Sequence, residues 1–102
     1  MEAALEMPSV RTYGKYSSDN YGAHSLEVSV GPIDLYYSYR TLVAFRAPGF
    51  GLVVISNYWG PTTGKHLNWI DGGERDRLKM RLSQEQFETK WVEVQVKYFG
   101  RQ

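Results

Sequence analysis

The clearest order in the chain is an alternation of apolar and polar positions that begins at Ser25. Leu26, Val28 and Val30 fall on one side of an extended backbone and Ser25, Glu27 and Ser29 on the other, which predicts a half-buried strand. Gly31-Pro32 interrupts it, and alternation resumes with Ile33, Leu35, Tyr37 and Tyr39 opposite Asp34, Tyr36, Ser38 and Arg40. Two such runs separated by two turn-forming residues predict an antiparallel hairpin. Residues 42–46 and 52–56 read as a third and a fourth strand, joined through Ala47-Pro-Gly-Phe-Gly51, whose glycines are free to take positive φ. Residues 52–55 are apolar on both faces, which predicts a central strand covered on each side.

Past Ser56 the pattern changes. Asn57-Tyr-Trp-Gly-Pro61 ends the strand, and Thr62 or Thr63 is placed to cap a short helix running to about Asp71, with Gly72-Gly73 as its stop. Residues 77–82 alternate again, with Leu78, Met80 and Leu82 inward, and read as a further strand. Ser83-Gln-Glu-Gln86 matches a capping box, and Phe87, Trp91, Val94 and Tyr98 follow at helical spacing. Val92, Val94, Val96 and Tyr98 also alternate, so a strand over the last eight residues is the alternative to the preferred helix. At the other end, residues 1–9 carry no pattern and read as a flexible leader, and residues 10–21 read as a loop with aromatic anchors. The prediction is a single α+β domain over residues 10–102. It has a four- to five-stranded, mainly antiparallel sheet, one short helix and a C-terminal helix. Its expected core is Leu26, Val28, Leu35, Val43, Val53, Ile55, Leu67, Ile70, Phe87 and Trp91.

Composition narrows the chemistry. A chain of 102 residues buries roughly 60–70% of its unfolded surface, enough for one core without covalent staples. It has no cysteine, which removes disulfides, thiol catalysis, zinc ribbons and iron–sulfur clusters together. The N-terminal residues include two acids and no basic stretch, unlike a signal peptide, and no apolar run approaches the ~20 residues of a membrane span, so no membrane partner and a cytoplasmic setting are expected. Net charge is +1, so any polyanion site must be a local patch. The aromatic share of 15%, with eight Tyr and three Trp, exceeds what a core of this size needs and leaves rings for recognition.

Three segments carry candidate chemistry. Gly60-Pro-Thr-Thr-Gly-Lys-His66 invites comparison with a phosphate-binding P-loop, but it has three residues between its glycines where that motif has four, and His66 where the motif has Ser or Thr. At a helix start, Thr62, Thr63, Gly64 and Lys65, with His66 and Asn68, are nevertheless candidates for binding a phosphate or carboxylate. The competing reading is a cap, a solvated lysine and a core histidine. Arg77, Lys79 and Arg81 would share one strand face at ~6.6 Å intervals, close to phosphate spacing, with Tyr36 and neighbouring rings as stacking platforms. The competing reading there is a charged edge strand, with Glu74 and Asp76 adjacent. His24, His66 and Lys65 are the thin supply for a phosphodiesterase-like hydrolase, and no pair of histidines has metal spacing.

Tyr16-Ser-Ser-Asp-Asn-Tyr-Gly22, Ser38-Tyr-Arg-Thr-Leu-Val-Ala-Phe45 and, above all, Trp59-Gly-Pro-Thr-Thr-Gly-Lys-His-Leu-Asn-Trp-Ile-Asp71 resemble a family of small uncharacterised proteins of phages, mobile elements and some bacterial and archaeal genomes. The resemblance spans most of the chain, from about Val10 to Trp91. It implies a mobile-element setting, where small accessory proteins often inhibit or sequester host factors, and it brings no catalytic residues. The leading expectation is therefore a non-enzymatic binding module for a host protein or a phosphate-bearing small molecule, with no metal or cofactor. The alternative is a nucleic-acid binder using Arg77, Lys79, Arg81 and Tyr36, and a small hydrolase ranks below both.

Overall fold

The computed structural model describes residues 9–13 and 25–100. Strands β1 (Ser9–Thr12), β2 (Ser25–Val30), β3 (Ile33–Ser38), β4 (Thr41–Ala47) and β5 (Gly51–Val54) are followed by helices α1 (Pro61–Asp71), α2 (Arg75–Met80) and α3 (Gln84–Phe99). The strands form one five-stranded sheet in sequence order, each antiparallel to its neighbour. The fold is thus α+β, as the patterning predicts. The hairpin at Gly31-Pro32 forms with Gly31 at φ +57°, a conformation glycine takes without strain. Strand β1 lies where the sequence reads as leader and loop. All four of its residues are exposed, so it has no apolar signature, and backbone pairing with β2 forms it. The Tyr16–Gly22 motif, His24 and the leader up to residue 8 lie outside the described residues.

The sheet is covered on both faces, and register assigns the faces. Val28, Leu35, Phe45 and Val53 are directly opposite one another in successive strands. Phe45 meets the rings of Phe87 and Trp91 at 5.4 Å each, so α3 lies on this face. Glu27, Tyr36 and Ala44 line the other face, together with Ser38, which touches α1. Between Tyr36 and Tyr37 the register slips so that β4 carries one extra residue, Val43. The bulge explains why Val43, Ala44 and Phe45 are consecutive yet all fully buried.

Several expectations need correction. Residues 77–82 are not a strand: residues 75–80 are helical, and Leu78 and Met80 are exposed. Arg, Leu, Lys and Met are all good helix formers, and alternation over six such residues is a weak signal when neither face is buried. The strand-like remnant is Leu82, whose N–H donates to Val54 O and whose carbonyl accepts from Ser56 N, both at 2.8 Å, in a parallel bridge with Ile55. Strand β5 is covered on both faces as predicted, but it is last in strand order rather than central, and Leu82 closes off part of its outer edge. Helix α1 begins at Pro61 with Gly60 at its N-cap and no side-chain cap, so neither Thr62 nor Thr63 plays that role. Its stop at Gly72, φ +88°, is as predicted. In α3 the Ser83–Gln86 capping box is complete, and residues 92–98 are helical.

Leu35, Val43, Val53, Ile55, Leu67 and Phe87 are buried as expected, while Leu26, Val28, Ile70 and Trp91 are only half-buried. In β2 the more deeply buried side is the polar one: Ser25 is fully buried and Glu27 nearly so. Each has a partner that makes this tolerable. Ser25 Oγ donates to Tyr13 O at 2.7 Å, and Glu27 accepts two hydrogen bonds from Arg11 at 3.2 and 2.8 Å.

Candidate binding cleft

The contact between α1 and the sheet is made of hydroxyls and an imidazole. Thr63 and His66 lie one helical turn apart on the buried side of α1. Ser38, at the end of β3, has its Oγ 2.9 Å from Thr63 Oγ1 and 2.7 Å from His66 Nδ1. All three are buried, and His66 completely. The imidazole is packed against Tyr13 and Tyr39, with ring centroids 6.0 and 6.1 Å away. Tyr13 is itself held by its hydroxyl donating to Tyr37 O at 2.9 Å. A Ser–His contact invites comparison with a nucleophile and its base. Here the hydroxyl is shared with Thr63, and only 2% of Ser38 is exposed. The trio fixes the rotation of α1 on the sheet.

Beside this knot, at the β3–β4 turn, the surface opens into a cleft with two lobes of ≈ 220 Å³ each. The lobe on the α1 side is lined by Ser38, Tyr39, Val43 and Thr63. The lobe on the α3 side is lined by Leu42, Ile55, Phe87 and Trp91, with the exposed Gln84 and Glu88 at its mouth. Trp59 and Thr41 belong to both lobes, and Trp59 remains 43% exposed. The segment carrying Trp59 is built by its own hydrogen bonds. Asn57 Oδ1 accepts from Trp59 N at 2.8 Å, and Tyr58 Oη accepts from Gln84 N, at the start of α3, at 3.2 Å. Gly64 packs closely beneath it: a Cβ there would sit 3.1 Å from Asn57 Nδ2, so a larger residue would need the Asn57 side chain to shift by a few tenths of an ångström. On the opposite rim, Tyr39 adopts φ +58° in the two-residue β3–β4 turn, a left-handed conformation that costs a non-glycine residue ~1–2 kcal/mol. Strain of this kind concentrates where a side chain must be presented in a set direction.

The residues singled out from the sequence are divided by the fold. Thr63 and His66 face inward, Thr62 and Gly64 are half-buried, and Lys65 and Asn68 are exposed, so the six do not converge on one point. Asn68 Oδ1 instead accepts from Arg81 Nη2 at 3.1 Å. Arg77 and Lys79 are exposed on α2, while Arg81 is held in a buried, two-pronged pair with Asp71, at 2.7 and 2.9 Å. The three cations therefore do not form the row that a strand would have made. Tyr36 lies half-buried on the sheet, edge-on to Tyr13 at 5.6 Å, and its hydroxyl is pushed above the ordinary phenol value, first by burial and then by the nearby Glu27 charge. Ser38 and Thr41 were not legible as cleft residues, because each reads only as part of a strand pattern and it is the packing of α1 and of the Trp59 segment beside them that makes the cleft. No cluster of three metal-ligating side chains occurs among the described residues, and no helix there is long and apolar enough to cross a membrane.

Comparison with protein families places the chain. A family model described as a family of unknown function, DUF8033, matches residues 9–89, and the chain belongs to that family. No curated protein and no solved structure matches it.

Proposed function

We propose, for this member of a family of unknown function, a non-catalytic binding module that recognises a partner protein through the Trp59 cleft. The observation that carries the reading is the geometry around Trp59. One exposed indole belongs to two adjoining lobes, Tyr39 and Tyr58 are exposed close by, and Ser38, Thr41 and Thr63 are among the lining residues. Large rings at the centre of a concave patch are the usual anchors of protein recognition. The two described segments on which the family resemblance rests, around Ser38–Phe45 and Trp59–Asp71, are those that meet at this cleft. The setting that the resemblance implies is that of an accessory protein of a phage or mobile element acting on a host factor. A phosphate-bearing ligand at the start of α1 is less favoured, since Thr63 and Lys65 lie on different sides of the helix. The hydrolase reading needs His24, which lies outside the described residues.

The test is quantitative mass spectrometry of proteins co-purifying with the parent chain and with Trp59→Ala, followed by titration of the identified protein with both. Loss of a central ring should weaken binding by ~30-fold or more, about 2 kcal/mol, with an unchanged melting temperature. A partner retained equally by Trp59→Ala and Tyr39→Ala would overturn the assignment of the cleft.

A further inference from the structure

A second cavity, of ≈ 480 Å³, opens on the α1 face of the sheet between β5, the end of α1 and α2. Its walls carry Arg46 and Arg77, and its apolar lining is Phe50, Leu52, Ile70 and Met80. It adjoins a smaller recess of ≈ 60 Å³ that shares Leu52, Asp71, Arg77 and Met80 and adds Arg81. The charges around it are unevenly committed. Asp71, the one carboxylate in either lining, accepts two hydrogen bonds from Arg81 and one from Gly73 N at 2.9 Å. Arg81 is correspondingly committed to Asp71, with Asn68 as its further acceptor. Arg77 makes no hydrogen bond or ion pair with any described residue. Arg46 is near enough to the Tyr36 hydroxyl for its charge to oppose the rise in that group's pKa, and its cross-strand neighbour Asp34 accepts from Ser29 Oγ at 2.7 Å. Glu74 and Asp76 flank Arg77 in sequence, but neither lines the cavity.

From this juxtaposition we propose that the cavity binds a small oxyanion, a carboxylate or phosphate monoester with a compact apolar body. The anion pairs with the Arg46 and Arg77 guanidinium groups, and the apolar part rests on Phe50, Leu52 and Met80. The cavity volume is that of a small-molecule site, and its lining draws a guanidinium from each of two elements, Arg46 of β4 and Arg77 of α2, the side chain best suited to pairing with an oxyanion. A polyanion such as nucleic acid fits less well, because the charge is concave and local and Arg81 is already paired. The site is separate from the Trp59 cleft: the two share no lining residue.

The experiment is an NMR titration of the folded chain with phenyl phosphate, benzoate, inorganic phosphate and, as neutral isostere, benzyl alcohol. The expected result is saturable shifts for phenyl phosphate or benzoate with Kd on the order of 1 mM or tighter, and weaker or no binding of benzyl alcohol. The relative affinity of the two aryl anions assigns phosphate or carboxylate as the preferred head group. Arg77→Ala should weaken the better anion by about tenfold. Lys79→Ala, which removes the same charge from the same helix outside the lining, and Trp59→Ala should leave it unchanged. Arg77 is exposed and unbonded, so the variant should melt like the parent. Three results would each overturn the proposal: no saturation by either aryl anion, benzyl alcohol binding as tightly as the anions, or Lys79→Ala costing as much as Arg77→Ala.

Discussion

Replacing Arg81 with alanine should cost about 3 kcal/mol at neutral pH, a large part of the ~5–15 kcal/mol that a domain of this size commands. The magnitude follows from what the substitution leaves behind. Arg81 and Asp71 side chains are 7% and 4% exposed, and without the guanidinium the Asp71 carboxylate keeps one backbone donor, Gly73 N, in place of three donors. Removing one partner of a buried pair leaves an uncompensated charge, which is why the loss exceeds that for a surface pair. The pair also ties the end of α1 to the residue before Leu82, whose backbone bridges β5. The pair has a pH signature. Burial by itself would raise the Asp71 carboxyl above its ordinary 3.8, but hydrogen bonds from Arg81 and Gly73 and the Arg81 charge outweigh burial and hold it below. A carboxyl depressed on folding binds fewer protons in the folded than in the unfolded state. Its contribution is complete above the unfolded value and is lost as pH falls through the lower folded value. In Arg81→Ala the part of that depression due to Arg81 is gone, so the gap between parent and variant should be widest near pH 7 and narrow below about pH 4. Urea unfolding followed by far-ultraviolet circular dichroism across this range measures it. A gap under about 1 kcal/mol at pH 7, the size expected of an exposed pair, or one that does not narrow in acid, would refute the argument.

His66→Ala should destabilise by about 3 kcal/mol in the same assay, because it empties a fully buried ring site between Tyr13 and Tyr39 and strips Ser38 Oγ of its imidazole partner. A loss below about 1 kcal/mol would show that the ring does not hold α1 in place. Tyr39→Gly relieves ~1–2 kcal/mol of left-handed strain against ~0.5–1 kcal/mol of added chain entropy, so the melting temperature should hold or rise slightly while partner binding falls. A drop of more than about 1 kcal/mol would mean that the ring's contact with His66 outweighs the strain.

Legibility of the fold tracked the kind of force involved at each place. The β2–β3 hairpin and α3 were readable because apolar period and turn or cap chemistry agree there: Gly31-Pro32 with its flanking alternation, and Ser83–Gln86 with Phe87, Trp91 and Val94. Strand β1 was not, since its four residues are exposed and it owes its form to backbone pairing. The segment from Arg75 to Met80 misled because alternation of long side chains fits a short helix as well as a strand when nothing is buried. At the site, the histidine's place in the interior was readable from its position beside Leu67, but its partner was not. Ser38 lies 28 residues away, and only the closing of α1 onto the sheet brings the two together. Trp59 and Tyr39 were visible as surplus aromatics, yet the cleft between them depends on a bulge and a positive φ that neither residue announces.

The two proposed sites share a structural cause in α1. Its first turn contributes Thr63 to the cleft and its last contributes Ile70 and Asp71 to the arginine cavity, on the order of 10 Å apart along the axis. An amphipathic helix packed by apolar contacts alone tolerates small rotations about its axis, since one aliphatic contact replaces another at little cost. Here rotation would break the Ser38–His66 and Ser38–Thr63 hydrogen bonds at one end and the Asp71–Arg81 fork at the other, each in a buried setting where an unmade bond is expensive. Polar fastening at both ends gives a helix whose buried residues include only one large apolar side chain, Leu67, a defined orientation on the sheet.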